Sequence, residues 1–278
     1  TIPNNPSSFN LGLTHIGVFH CTWSSSFSTA VSTFPLSMND IFYQVSQGNI
    51  NNIQLILERN GEDFIDSTKV RSGESCLHVA VASRQEEAVN FLFQKNQNWR
   101  LTNKLSGATV LHVAASNGFC DMIRLLMKHF SEKGCSEEEL VALINGCDNN
   151  GLTPVHYAAI NSHTTTLKTL IYEYKASGSV GSTSGDTPLH VACLWGQIDS
   201  VKMLLEGGIG GLKLDKTIDQ NGGNKAGDTP LHKSVINSHG PIAEYLIYKG
   251  ANMLKVNGSG LSPLDLANTD TIKLMNHR

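Results

Sequence analysis

A six-residue phrase recurs along this chain of 278 residues, and its spacing constrains the fold more than any other feature. It reads Ser-Cys-Leu-His-Val-Ala at 75–80 and returns at 109–114, 153–158, 187–192 and 229–234. A degenerate copy at 262–267 carries Asp265 in place of the histidine. The step is 34 residues from His78 to His112, 34 from His156 to His190, and 33 from His232 to Asp265. The intervals of 44 and 42 between the remaining histidines each hold one period plus about ten inserted residues. A chain built on such a period stacks one supersecondary unit on the next, because no single unit can bury its own apolar face.

Each part of the phrase has a physical task. The leading Thr or Ser suits a helix N-cap, where its hydroxyl meets orphan backbone N–H groups. Pro154, Pro188 and Pro230 follow at the first helical position, where a missing N–H costs nothing. The next residue is aliphatic and points to a core, and the closing Ala lets two helices approach closely. About ten residues further on, apolar residues recur at i, i+3 and i+4, as in Met122-Ile123 with Leu125-Leu126, and predict a second amphipathic helix. Gly118 and Gly196 stand in the turn between the two helices, where a positive φ is expected, and Arg84 and Ser162 take that place in two copies.

These residues resemble the ankyrin repeat, whose signature is this phrase at this period, and the resemblance covers residues 39–278. It implies an all-α solenoid of stacked helix–turn–helix units joined by β-hairpin-like loops, in which each phrase histidine ties neighbouring loops together. Seven units are expected: an N-terminal cap at 39–61, five full repeats, and a truncated last unit from Gly260 to Met275, with Leu266, Ile272 and Leu274 closing the core. Ser136 followed by Glu139 is a capping-box pattern and predicts a short inserted helix from Glu137 to Ile144. The second insertion, around 207–226, is rich in glycine and reads as a loop, as does the smaller Gly/Ser stretch 175–184.

Residues 1–38 stand outside the pattern and contain no Asp, Glu, Lys or Arg. They are rich in Ser and Thr yet carry Trp23, Phe27 and Phe34, so three readings stay open: a segment packed on the first repeat, the remnant of a further domain, or a disordered tail.

The remaining chemistry points away from catalysis. A net charge of −3 and the lack of a basic stripe give no attraction to nucleic acid, and no apolar run is long enough for membrane insertion. The six cysteines are scattered without a CxxC pair, which fits reduced thiols in a cytoplasmic or nuclear protein, or in an effector delivered to a host cytosol. The phrase histidines fall on successive layers and share no ligand spacing, so no metal is expected. His15, His20 and Cys21 lack an orienting group, and the glycines at 207–211 are not followed by the GK[ST] of a phosphate loop, so neither a catalytic site nor a cofactor is expected.

The resemblance implies another protein as partner, held along the concave face of a chain that is monomeric alone. The ends of the first helices feed that face: Asn117, Ile160 with Asn161, Leu194 with Trp195, and Ile236 with Asn237. Ile160, Leu194, Trp195 and Ile236 form an expected apolar ladder, with Asp186 and Asp228 from the hairpin tips among its polar rim. Three functions fit: a binding scaffold or adaptor, the targeting arm of a larger enzyme or bacterial effector, and an inhibitor-like regulator of a signalling protein.

Overall fold

The computed structural model describes residues 38–62, 64–67, 73–95, 98–206 and 222–276. The uncharged N-terminal segment, most of the glycine-rich insertion and the Leu274 side chain lie outside the described residues.

The expected helical hairpins form in order, and no strand occurs among the described residues. The cap is α1 (Met38–Ser46) with α2 (Ile50–Asn60), followed by the short α3 (Phe64–Ser67). The first two full repeats are α4 (Cys76–Ala82) with α5 (Glu86–Gln94), and α6 (Val110–Ser116) with α7 (Cys120–Glu132). The inserted α8 spans Glu137–Ile144, and Ser136 and Glu139 exchange the two bonds of a capping box, at 2.9 and 3.2 Å. The third repeat is α9 (Pro154–Ile160) with α10 (Thr164–Lys168), which runs on as a π-helical turn at Thr169–Glu173. The fourth and fifth are α11 (Pro188–Leu194) with α12 (Ile198–Glu206), and α13 (Pro230–Ile236) with α14 (Gly240–Tyr248). The last unit is α15 (Pro263–Leu266) with α16 (Thr269–Asn276).

First helices pack on first helices in sequence, α4 on α6, α6 on α9, α9 on α11, α11 on α13, and α13 on α15. The phrase supplies the seam. Leu77, Leu111, Val155, Leu189 and Leu231 are buried, and so are Ala80, Ala114, Ala158 and Ala192. In the fifth copy Ser234 replaces the alanine and turns its hydroxyl back to the Leu231 carbonyl, 2.9 Å away, which satisfies it inside the core. The last repeat has no successor among the described residues, and there the equivalents of buried positions surface: Leu264 is 36% exposed and Leu261 42%.

The inter-helix turn demands the left-handed region in each of the five full repeats. Glycine supplies it at Gly118 and Gly196, while Arg84, Ser162 and Ser238 adopt it at φ 55, 59 and 60° at a steric cost. At the opposite edge the hairpin tips form a backbone ladder between repeats: Asn149 donates to the Ser106 carbonyl, Thr183 to Asn150, Lys225 to Ser184 and Gly258 to Ala226, at 2.8 to 3.0 Å. This close approach requires Gly151, whose Cβ would stand 2.6 Å from the Thr183 nitrogen.

Candidate functional site

The phrase histidines do one job, and it is structural. In each copy Nδ1 accepts the backbone N–H of the capping Ser or Thr and lies 2.8 to 2.9 Å from its hydroxyl. Nε2 reaches across to the next repeat: His78 to the Ala108 carbonyl, His112 to Leu152, His156 to Asp186, His190 to Asp228 and His232 to Leu261, at 2.9 to 3.1 Å. A carbonyl only accepts, so Nε2 carries the proton and Nδ1 is bare. The neutral ring is therefore the working form. Burial agrees with this, lowering the His112, His190 and His232 pKa values and bringing His156 down to about 4.

A second ladder crosses the stack at the inter-helix turns. His163 Nε2 donates to the Ser116 carbonyl and His239 Nε2 to Leu194, at 3.0 and 3.1 Å, and Gln85 reaches the Ser46 carbonyl at 3.0 Å. Their rings and amide lie so close to the preceding glycines that a Cβ on Gly118 or Gly196 would meet an imidazole within 2.7 to 2.8 Å. Sequence reasoning missed this ladder, although Gln85, His163 and His239, each directly after its turn, were a signal for it.

The candidate recognition residues line up as equivalents. Asn117, Asn161, Trp195 and Asn237 are the C-cap residues of α6, α9, α11 and α13, four consecutive first helices. Each asparagine donates Nδ2 to a carbonyl one turn back: Asn117 to Val113, Asn161 to Tyr157 and Asn237 to Lys233, at 2.8 to 3.0 Å. They stop their helices as well as facing outward.

The apolar ladder is narrower than expected. Trp195 is 43% exposed and Ile236 51%, Leu194 is half-buried, and Ile160 is only 5% exposed. The Ile160 expectation is corrected here. Among first helices, α9 packs between two of seven residues, α6 and α11, whereas α13 has the four-residue α15 on its far side.

Asp186 is not a rim residue either. It is buried, takes bonds from Ser184 at 2.6 Å and Asn224 at 2.7 Å, and faces Lys233 at 3.5 Å. Lys233 stands equally 3.5 Å from Asp228, whose other oxygen takes the Asn257 amide at 2.7 Å. Burial pushes the Asp186 carboxyl up, but the Ser184 hydroxyl, the Lys233 ammonium and the Asn224 amide outweigh it and hold it below the usual range. The lysine occupies the phrase position filled by Val79, Val113 and Val191 in other copies. Tyr157 is the other polar residue there, and its hydroxyl donates to buried Asp148 at 2.9 Å. Each polar intruder thus meets an aspartate from a hairpin. The sequence signal was a lysine at a phrase position that is valine in three other copies.

Comparison with known proteins agrees with the geometry. A family model described as ankyrin repeats in three copies matches residues 41–137 and 131–218, and one described as ankyrin repeat matches 226–258. The chain is 28% identical over 220 residues to the Target of rapamycin complex 2 subunit AVO2 of Saccharomyces cerevisiae, covering 79% of this chain and 47% of that protein. It is 26% identical over 197 residues to the Transient receptor potential cation channel subfamily A member 1 of Drosophila melanogaster, covering 70% of this chain and 16% of the channel. A shorter match, 36% identical over 121 residues, is to Alpha-latrocrustotoxin-Lt1a of Latrodectus tredecimguttatus, and covers 44% of this chain and 8% of the toxin. The chain spans less than half the length of each of these relatives.

Proposed function

The chain belongs to the ankyrin-repeat family, and from that premise we propose that it is a protein-binding scaffold or adaptor recognising its partner on the face built by the C-cap ends of α6, α9, α11 and α13. Members of the family are generally non-catalytic binding modules. The observation that carries the reading is Trp195, an indole 43% exposed at a helix end whose equivalents in three neighbouring repeats are asparagines. A half-exposed Trp beside an exposed Ile236 is the composition of a binding hot spot, and a rigid stack loses little freedom when it binds. The chain acts as a monomer in a reducing compartment, the cytosol or nucleus, which suits the buried thiol of Cys193.

The targeting-arm reading draws on one observation: a share of only 16 to 47% of the relatives' length leaves room for a separate functional part, as the channel's name illustrates. In both readings the same face binds.

Affinity capture from the native cell tests this. Wild type and Tyr248→Ala, a change at a residue 72% exposed on α14, should retain the same partner, and Trp195→Ala should lose it. Equal capture by all three proteins would remove Trp195 from the site.

A further inference from the structure

The row of C-cap residues specifies more than a patch. Asn117, Asn161, Trp195 and Asn237 occupy one structural position on four consecutive first helices, so one of them recurs at each step of the stack. The orientation of each amide is fixed by chemistry. A helix carbonyl can only accept, so the atom facing Val113, Tyr157 or Lys233 must be Nδ2. Oδ1 is left as the free atom of each asparagine, and it takes no bond from any described residue. Nor is any of these oxygens among the buried side-chain atoms that lack a partner, so in Asn117 and Asn161 it reaches solvent. The face thus offers acceptor, acceptor, exposed indole, acceptor.

Packed helices lie about 8 to 10 Å apart. A polyproline II segment advances about 9 Å per turn of three residues, so it places one residue in every three over successive repeats. Its backbone N–H groups are unpaired, and those of its non-proline residues are free to donate to Oδ1. A bound α-helix has spent the same groups on itself. Its diameter of about 10 to 12 Å would also call for a broad apolar groove, where this face has Trp195 and Ile236. Aromatic faces are the usual seat for the proline rings of such segments.

We infer that the occupant is an extended, proline-containing segment of the partner, lying across the first-helix ends with a three-residue period. It donates backbone N–H to Asn117, Asn161 and Asn237 and rests an apolar residue on Trp195 and Ile236. This rests on the reading that the same face is the recognition surface.

The probe is a fluorescein-labelled peptide of about twelve residues, four Leu-Pro-Pro triplets, titrated by anisotropy. One comparison peptide carries N-methyl-leucine at each Leu, which keeps the shape and removes the donors. A second has a Leu-Pro period of two, and a third is an amphipathic helix. The triplet peptide should bind, N-methylation and Trp195→Ala should each weaken it about tenfold or more, and Tyr248→Ala should not. Equal binding of the N-methylated or two-residue peptide, tighter binding of the helix, or no binding of the triplet peptide would overturn the inference. If the triplet peptide fails while Trp195-dependent capture persists, only the extended segment falls. If both fail, the surface reading falls with it.

Discussion

The hairpin edge and the first-helix face of this stack are built from the same repeats and behave oppositely. At the hairpin edge each of five histidines makes the same pair of contacts, with a cap in its own repeat and a carbonyl in the next. At the first-helix face equivalent positions differ, and the exception, Trp195, is also the exposed apolar one. Residues that hold repeats together must recur, because every interface needs the same bond. Recognition of something else needs no such repetition, and its apolar anchor stands where recurrence breaks. A break is not sufficient, however. Lys233 departs from the phrase too, yet it is buried between two aspartates.

That distinction can be attacked directly. The largest effect is expected at Lys233→Ala, which leaves Asp186 and Asp228 uncompensated and should cost about 3 to 5 kcal/mol in urea unfolding. Replacing all three at once, with Asp186→Asn, Asp228→Asn and Lys233→Met, should recover most of that loss. If the single variant unfolds like wild type, the cluster does not hold the fourth and fifth repeats. His156→Ala should cost about 2 to 4 kcal/mol, through a lost cross-repeat bond and a cavity.

Acid offers a broader test of the same edge. Burial lowers the folded-state pKa of His112, His156, His190 and His232 below the ordinary histidine value, so the unfolded chain binds more protons as pH falls. Their stabilisation is complete above about pH 6.5 and is lost as pH drops toward the folded values, about 4 for His156. The urea midpoint should therefore fall between pH 7 and 5, and fall less steeply in His156→Asn. A midpoint unchanged over that range would contradict buried neutral rings. The smallest effect is at the turns: Ser162→Gly relieves a residue at φ 59° and should stabilise by about 0.5 to 1 kcal/mol, whereas Gly118→Ala, with no room beside His163, should destabilise.

Much of this was legible in the sequence because it is local. The phrase gave the helix starts, Ser136 and Glu139 gave the inserted helix, and the missing glycines at 84 and 162 gave the strained turns. What escaped depends on neighbours a repeat away. Ile160 and Ile236 look alike in sequence, and their burial differs with the first helices packed around them. Asp186 reads as a hairpin-tip carboxylate until Lys233, 47 positions later, is placed beside it. The π-helical turn at Thr169–Glu173 likewise has its partner far off, in the Arg124 guanidinium that reaches Glu173 at 2.7 and 2.8 Å.

The central claim is that stability lives at the hairpin edge and recognition at Trp195. It is tested most directly by measuring, on Trp195→Ala, both the urea midpoint and the affinity for the captured partner. The account predicts a midpoint within about 0.5 kcal/mol of wild type and an affinity lower by about 2 kcal/mol, roughly thirtyfold. Unchanged affinity, or a loss of affinity matched by a loss of stability, would contradict it.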